Sequence, residues 1–309
     1  MITKEAESKT DNTKNQLYFN SAREGFAYLL SYLFQENRGK ILLPSYIGIT
    51  DTEGSGVFDP IIETKTNYEF YELNEGLAIN KESLLKQLDA SPDFKAILII
   101  HYFGFCQNDL RWLKSVSEKY NLLMIEDCAH SLNGTKVNDV MLGTTGDFSL
   151  FSIHKVLPTN NGGILQFNNK KLNIPAKHNI SYDELIQYCN ADFELINEKR
   201  RKNYQDYLDN GLKDIKGIKL MFDFLPENTV PLNLPIIVQN GLREKLYFKL
   251  IDYNVITISL YYRIIEEINK NAFPVSSQIS NSILNLPVHQ DIEHHDILNI
   301  IKTIKKALK

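Results

Sequence analysis

The chain has 309 residues, of which 43% are hydrophobic and 23% are charged, and this length and composition are typical of a globular protein with a sizeable buried core. It carries 34 Lys and Arg against 38 Asp and Glu, a formal net charge of -4, and no long basic run, so we expect no nucleic-acid partner. The three cysteines, Cys106, Cys128 and Cys189, are widely spaced, which argues against a disulfide framework or a zinc site and fits a reducing cytoplasm.

We expect no targeting signal in the N-terminal segment. Residues 1–16 are polar and charged, and we predict that they form a disordered leader. They lack the apolar region of a signal peptide, and no later apolar stretch approaches the ~20 residues that cross a bilayer. We therefore expect a cytoplasmic protein without a membrane partner. Ser21 can then cap a helix whose apolar residues recur at helical spacing: Ala22, Phe26, Leu29, Leu30 and Leu33.

Short continuous apolar runs follow, of the kind found in strands that are buried on both faces of a parallel sheet. These runs lie at residues 41–43, 96–100, 122–125 and 148–153. Residues 108–120 have the spacing of an amphipathic helix, so residues 96–126 predict one β-α-β unit with a right-handed crossover. The pair Gly162-Gly163 precedes a return strand at 164–167. The pattern predicts an α/β fold.

The C-terminal part of the sequence predicts a second, smaller domain. Residues 181–210 are charged and helical, and Gly and Pro interrupt the following stretch. We then predict a strand at 234–238, a helix at 241–253, a strand at 255–259 and a closing amphipathic helix that contains Ile297, Ile301, Ile304 and Leu308. The predicted domains are therefore a large α/β domain at residues 17–210 and a small α+β domain at residues 211–309.

Three groups of residues lie where a ligand would bind, because ligands of open α/β sheets gather at the carboxyl ends of the strands. Asp127 directly follows one buried strand and Lys155 follows another, while Ser21-Ala22-Arg23 begins a helix whose N-terminal amides suit a phosphate. Pyridoxal 5'-phosphate requires these parts, since a lysine forms its Schiff base and a carboxylate keeps its ring nitrogen protonated.

Each of these residues also has a purely structural explanation. Ser21 can be an ordinary helix cap, Asp127 can belong to a turn, and Lys155 can be a solvated surface residue. Composition and spacing alone therefore leave the function open.

Seven short sequence motifs, spread over most of the chain, give more specific information about the function. They are Ile100-His-Tyr-Phe-Gly104, Glu126-Asp-Cys-Ala-His130, Gly146-Asp147, Phe151-Ser152 with Lys155, Gly162-Gly163, Phe273-Pro-Val-Ser276 and Leu286-Pro-Val-His289. In order and spacing these segments resemble the DegT/DnrJ/EryC1/StrS family of sugar aminotransferases. The resemblance implies a fold type I pyridoxal-phosphate architecture, which has a mostly parallel central sheet with helices on both faces and a small C-terminal α+β domain.

The resemblance also implies a role for individual residues at a cofactor site. Lys155 would be the Schiff-base lysine, and Asp127 would pair with the pyridine nitrogen. Ser152 and Ser21-Ala22 would hold the phosphate, and His130 would lie against the hydroxyl side of the ring.

Further candidates follow from the same resemblance. The family often places an aromatic residue that stacks on the ring in the loop after the strand predicted here at 41–43, and Tyr46 is our candidate for it, with an ordinary loop or core tyrosine as the alternative. We predict Arg23, His101 and His154 as weaker candidates for substrate contacts.

The activity that the resemblance implies is transfer of an amino group from an amino acid, glutamate in the family, to a nucleotide-linked keto-sugar by a homodimer. Such enzymes usually serve the synthesis of surface polysaccharides. Two alternatives stay open, a pyridoxal-dependent sugar dehydratase and a degenerate binding protein. The spacing between Ser152 and Lys155 is two residues shorter than is common, and the loop expected between Asn168 and Arg200 has no recognisable equivalent. Arg200 and Arg201 resemble the helix after this loop, or form a charged helix face.

Overall fold

The computed structural model describes residues 15–35, 39–51, 54–169, 174–255 and 261–308. Most of the predicted leader and most of the strand predicted at 255–259 lie outside the described residues. Gln16, the last residue of the predicted leader, begins the first strand.

The strands in chain order are β1 (Gln16–Phe19), β2 (Lys40–Pro44), β3 (Tyr68–Tyr71), β4 (Phe94–Ile100), β5 (Leu123–Asp127), β6 (Lys136–Val137), β7 (Val140–Met141), β8 (Phe148–Ser152), β9 (Gly163–Phe167), β10 (Ile218–Leu220), β11 (Asn233–Val238) and β12 (Ile283–Pro287). The helices are α1 (Ala22–Leu33), α2 (Phe58–Glu63), α3 (Lys81–Ala90), α4 (Leu110–Tyr120), α5 (Tyr182–Asn190), α6 (Phe193–Asp209), α7 (Arg243–Asp252), α8 (Pro274–Ser282) and α9 (His294–Ala307).

The central sheet has seven strands in the order β1-β9-β8-β5-β4-β2-β3. The pairs β3-β2, β2-β4, β4-β5 and β5-β8 are parallel, whereas β9 runs antiparallel to both β8 and β1. The predicted strands at 41–43, 96–100, 122–125, 148–153 and 164–167 are all confirmed, as is the helix within 108–120. Because the carboxyl ends of β4, β5 and β8 meet at one edge, the loops that follow them can form one site.

Helix α1 begins where the sequence predicts. The Ser21 Oγ accepts a hydrogen bond from the Glu24 amide at 3.1 Å, which satisfies one of the unpaired N–H groups of the first turn. Phe26, Leu29, Leu30 and Leu33 are buried, and the helix packs against β8 and β9. Full burial of each such side chain contributes roughly 1.5–3 kcal/mol, so packing fixes the helix start relative to the sheet.

The C-terminal part forms a three-stranded antiparallel sheet in the order β10-β11-β12. The segment 181–210 is two helices, because Asp192 begins the second one by accepting a hydrogen bond from the Leu195 amide at 3.0 Å. The domain division at residue 210 stays a prediction. Helix α6 precedes it, but its Asn203 and Tyr207 side chains donate to the carbonyl oxygens of His289 and Pro287, at 2.9 and 3.1 Å.

None of the helices within the described residues is both long enough and apolar enough to cross a lipid bilayer.

Candidate active site

A cavity of about 500 Å³ lies at the carboxyl ends of β5 and β8. Eight of the residues that the sequence singles out line it: Ser21, Ala22, Arg23, Asp127, His130, Ser152, His154 and Lys155. A second cavity, of about 560 Å³ beside β10, β11 and α8, contains none of these residues. The chemistry of the lining, and not the volume, therefore selects the candidate site.

Asp127 is the last residue of β5 and lies in the cavity wall. Burial raises the pKa of its carboxyl above the usual value, although the nearby Lys155 and the Ala129 amide, which donates to Oδ1 at 2.9 Å, act in the opposite direction. A carboxyl group whose pKa is raised in this way favours a cationic N–H group as a ligand, because the partner stabilises its ionised form.

His130 lines the cavity with a neutral imidazole. Its Nδ1 lies 3.0 Å from the backbone nitrogen of Phe103, which donates to it, so the proton of the neutral ring is on Nε2. Burial, together with the charge of Lys155, holds the pKa of this imidazole well below its usual value. The ring can therefore donate from Nε2 to a ligand oxygen without becoming charged.

The start of α1 forms one end of the cavity, and its free backbone amides make this end suitable for an anion. β9 passes so close to this helix start that a Cβ on Gly163 would overlap the backbone of Ser21 and Ala22. The neighbouring Gly162 amide donates to the carbonyl oxygen of Asn20 at 2.6 Å. The Ser152 hydroxyl also lines the cavity, so N-terminal helix amides and a hydroxyl group face one space, as in phosphate sites.

His154 and Arg23 lie in the same wall. Ser152 Oγ is 3.2 Å from His154 Nδ1, which places this histidine on the anion side of the cavity. Arg23 Nη1 is 3.3 Å from Asp59 Oδ2, and Asp59 also accepts the Ser55 amide at 3.0 Å. Arg23 therefore connects the helix start to the cavity-lining loop at residues 54–57.

His101 does not line the cavity but lies behind Asp127. Its Nε2 is 2.8 Å from Glu126 Oε2, and both side chains are fully buried. Burial opposes the charged imidazole, but the interactions with Cys106 and Glu126 outweigh it and raise the pKa of His101 to about 10. The predicted substrate contact is therefore not supported, since the imidazole is enclosed in the core.

Both carboxylate oxygens of Glu126 accept hydrogen bonds from the protein. Besides His101, they accept the amides of Gly143, Thr145 and Gly146 at 3.1, 2.9 and 2.6 Å. Cys128 lies close to this pair, and one potential ligand atom of each of the three residues falls within 4.8 Å of the others. We interpret the group as a closed ion pair, because four donors already satisfy the carboxylate.

Tyr46 is also buried and does not line the cavity. Its hydroxyl donates to the carbonyl oxygen of Tyr261 at 3.0 Å, and its ring stacks on the Tyr261 ring, with centroids 5.2 Å apart. The structure therefore places Tyr46 behind the cavity, as a core tyrosine, and Tyr261, which stacks on it, lines the cavity instead. No sequence motif pointed to Tyr261.

Arg200 is buried and not part of a solvated helix face. Its Nη1 donates to the Leu232 carbonyl at 3.1 Å and its Nε to Gln290 Oε1 at 3.2 Å. The Gln290 amide in turn donates to the Val156 carbonyl at 3.0 Å. Arg200 therefore connects α6, through Gln290, to the loop that carries Lys155. Arg201 donates to the Pro226 carbonyl at 3.1 Å.

Solved structures share this fold. The putative sugar aminotransferase Spr1654 from Streptococcus pneumoniae, in its PMP form, superposes with a TM-score of 0.79 at 16% identity, over 94% of this chain and 85% of that chain. PseC from Helicobacter pylori, an aminotransferase involved in the biosynthesis of pseudoaminic acid, superposes with a TM-score of 0.76 at 18% identity, over 96% and 87%. The architecture is an α/β fold, the fold type I architecture of pyridoxal-phosphate enzymes, with a mostly parallel central sheet and a small antiparallel sheet.

Sequence comparison specifies the family. The profile of the DegT/DnrJ/EryC1/StrS aminotransferase family matches residues 73–179 and 191–305, and the chain belongs to this family. It is 25% identical over 329 aligned residues to dTDP-4-amino-4,6-dideoxy-D-glucose transaminase of Shigella dysenteriae, covering 90% of this chain and 86% of that protein. It is 23% identical to dTDP-3-amino-3,6-dideoxy-alpha-D-galactopyranose transaminase of Aneurinibacillus thermoaerophilus, covering 69% and 65%.

Proposed function

We propose that the chain is a pyridoxal 5'-phosphate-dependent aminotransferase that transfers an amino group from glutamate to a nucleotide-linked keto-sugar. The observation that carries the proposal is the placement of Lys155, Asp127 and the start of α1 around one cavity. Membership of the aminotransferase family and the nucleotide-sugar substrates in the names of the two transaminase relatives support it.

The residues of the cavity fit this cofactor. Asp127 has the buried carboxyl that a protonated ring nitrogen requires, and His130 offers an Nε2 donor for the ring hydroxyl. The helix start at Ser21-Ala22 and the Ser152 hydroxyl would hold the phosphate. Gly163 has no side chain, and this lets the start of α1 approach the sheet closely enough to contribute to a phosphate site.

The cofactor, when bound, supplies an electron sink for the Cα of an amino-acid substrate. Asp127 maintains that property by staying ionised beside the ring nitrogen. Lys155 would hold the cofactor between reactions and, once displaced by the incoming amine, its Nζ would take the proton from the substrate Cα and pass it to the cofactor carbon. His130 donates to the ring hydroxyl from a neutral ring, so it does not compete with the charge at the nitrogen.

The dehydratase alternative is less well supported, because some relatives with that activity have a histidine in place of the lysine. Here both side chains line the cavity. His154 contacts Ser152 on the anion side, while the charge of Lys155 acts on Asp127 and His130. Lys155 is thus on the side of the acid and of the ring-hydroxyl donor, where an aminotransferase needs its amine.

We further propose a cytoplasmic homodimer, since fold type I sites are commonly completed by a second chain. Light scattering of the purified protein tests the dimer: a mass of two chains is expected, and a monomer that retains full activity contradicts it.

The absorbance spectrum of the protein with pyridoxal phosphate tests the activity. We expect a visible band that disappears in Lys155→Ala, and L-glutamate should convert it to a band at shorter wavelength with release of 2-oxoglutarate. Lys302→Ala, on the exposed face of α9, is the matched control and should behave as the wild type. A wild-type protein without a Lys155-dependent band contradicts the proposed function, and a band unchanged by glutamate contradicts the proposed donor.

A further inference from the structure

The loop after β2 contains Gly48. The space that a side chain at this position would fill is occupied by Tyr261, from the C-terminal part of the chain. An ideal Cβ on Gly48 would lie 2.8 Å from Cδ1 of Tyr261, which is closer than real Cβ atoms approach a ring. The Tyr261 ring therefore occupies the space into which a side chain at position 48 would point. Both residues line the cavity that contains Lys155 and Asp127.

The backbone around Tyr261 is tied to this loop by several hydrogen bonds. Gly48 and Ile264 form an antiparallel bridge. The Ile49 amide donates to the Arg263 carbonyl at 3.1 Å, and the Ile265 amide donates to the Ile47 carbonyl at 3.0 Å. Segment 261–265 thus pairs with the loop after β2 through strand-like hydrogen bonds, and this pairing fixes the position of the Tyr261 backbone.

Tyr261 itself has an uncommon backbone conformation, with φ at 63°, in the left-handed region that non-glycine residues rarely adopt. The Tyr46 hydroxyl donates to its carbonyl oxygen at 3.0 Å, which stabilises this conformation. Strained residues of this kind concentrate at ligand and active sites, because the surrounding structure has to compensate for them.

Aromatic neighbours fix the orientation of the Tyr261 ring. Tyr46 stacks on it at an interplanar angle of 21°, while Tyr102 and Phe103 contact it edge-on, at centroid distances of 5.4 and 5.8 Å. The His130 ring meets it at 77°, with centroids 5.9 Å apart. The ring is therefore packed into a rigid aromatic cluster and exposes its remaining surface to the cavity.

Its position next to Asp127 suits a flat ligand. Burial raises the pKa of Tyr261, and the charge of Asp127 adds to this effect, so the phenol stays neutral. Phe26, the other benzene ring in the lining, belongs to α1 and lies one turn after the helix start, on the phosphate side. Among the described lining residues, Tyr261 is the large aromatic ring beside Asp127.

We propose that Tyr261 packs against the ring of the bound cofactor and forms the aromatic wall of the site, in the space that Gly48 leaves. This inference rests on the proposed function, since it assumes that the cavity binds pyridoxal phosphate. Offset or edge-to-face contacts between aromatic rings favour such an arrangement over a contact with an aliphatic side chain. The wall would come from residue 261, not from the loop in which the family often carries its aromatic residue.

Titration of the apoprotein with pyridoxal phosphate, followed by absorbance and by visible circular dichroism, tests the proposal. Tyr261→Leu keeps apolar volume but removes the ring, and we expect the Kd to rise about tenfold and the dichroic band to weaken. Tyr261→Phe should stay within about twofold of the wild type. Tyr262→Ala changes the neighbouring tyrosine, which does not line the cavity, and serves as the matched control.

Relocation of the ring gives a second test. Gly48→Phe alone should weaken binding, because its side chain collides with Tyr261. Combined with Tyr261→Ala, the same change should restore much of the affinity, since it returns a ring to the vacated space. The proposal is wrong if Tyr261→Leu binds as tightly as Tyr261→Phe, or if the double variant binds no better than Tyr261→Ala. A wild-type protein that binds no pyridoxal phosphate at Lys155 overturns the proposed function and, with it, this inference.

Discussion

His101 and Glu126 form a fully buried ion pair in which His101 Nε2 lies 2.8 Å from Glu126 Oε2. Neighbouring residues of a strand point to opposite faces of the sheet, so this pair lies on the other face of β5 from the Asp127 side chain. The His101 amide also donates to the Asp127 carbonyl at 3.0 Å. The pair therefore fixes the strand end that carries the acid of the candidate site.

Replacement of the buried carboxylate should destabilise the whole domain. We expect Glu126→Gln to lower the free energy of unfolding by about 3 kcal/mol, the cost of removing one partner of a buried pair. Guanidinium unfolding followed by circular dichroism measures it. Glu227→Gln, at an exposed position, should change the free energy by less than about 0.5 kcal/mol. Equal effects of the two substitutions would contradict the buried ion pair.

The same pair should make stability depend on pH in a defined direction. The pKa of His101 rises from its ordinary 6.5 to about 10 in the folded protein, so its stabilising contribution is complete below pH 6.5 and is lost as the pH approaches 10. The pKa of Glu126 is lowered: burial opposes ionisation of its carboxyl, but the His101 hydrogen bond and charge outweigh this effect. Its contribution is therefore lost only in acid.

Unfolding of the wild type and of His101→Gln at pH 6, 7.5 and 9 tests this dependence. The stability advantage of the wild type should be largest at pH 6 and should shrink toward pH 9, by at most about 1.4 kcal/mol per pH unit for one proton. A difference that stays constant over this range would show that His101 is not charged in the folded protein.

The close approach of β9 to α1 predicts that Gly163 cannot carry a side chain. Gly163→Ala places a methyl group against the Ser21-Ala22 backbone, and we expect overpacking to cost about 1–3 kcal/mol. The shift of the helix start should also weaken the binding of pyridoxal phosphate. Thermal unfolding and cofactor titration measure the two effects. Gly76→Ala, where an added Cβ meets no atom within 4 Å, is the control. Unchanged cofactor affinity in Gly163→Ala would argue against a phosphate site at this helix start.

The neutral imidazole of His130 predicts both a tautomer and a binding effect. Because Nδ1 accepts the Phe103 amide and burial lowers the pKa, ¹H–¹⁵N correlation spectra should show a neutral Nε2–H ring that persists well below pH 6.5. The resonance can be assigned by its absence in His130→Gln. A ring that becomes protonated at its ordinary pKa would contradict the buried donor.

Removal of that donor should weaken the cofactor complex. His130→Leu loses a hydrogen bond to the ring hydroxyl, and we expect the Kd for pyridoxal phosphate to rise by up to roughly tenfold, the upper range for one hydrogen bond. His130→Gln retains an amide donor and should lose less. Equal affinity of the leucine and glutamine variants would indicate that His130 only supports the Phe103 backbone.

Much of the sheet could be predicted because strands buried on both faces have continuous apolar sequences, as in Ala96–Ile100. β3 was missed since it is mostly half-buried, and its sequence, Tyr-Glu-Phe-Tyr, has no continuous aliphatic run. β12 was missed because Asn285 and Pro287 interrupt its apolar run, and its pairing partners lie far away in β11. The local pattern of Ile283–Pro287 carries no information about that pairing.

The sequence by itself determined the parallel core, the helix start at Ser21 and the residue types of the candidate site, because these depend on local periodicity, capping and strand ends. Only the tertiary structure decided which side chains face the cavity. Tyr46, His101 and Arg200 are enclosed in the core by partners far along the chain, whereas Tyr261 reaches the cavity through its pairing with the loop at Gly48. The partners that enclose a polar side chain come from distant parts of the sequence, and no local pattern encodes these contacts.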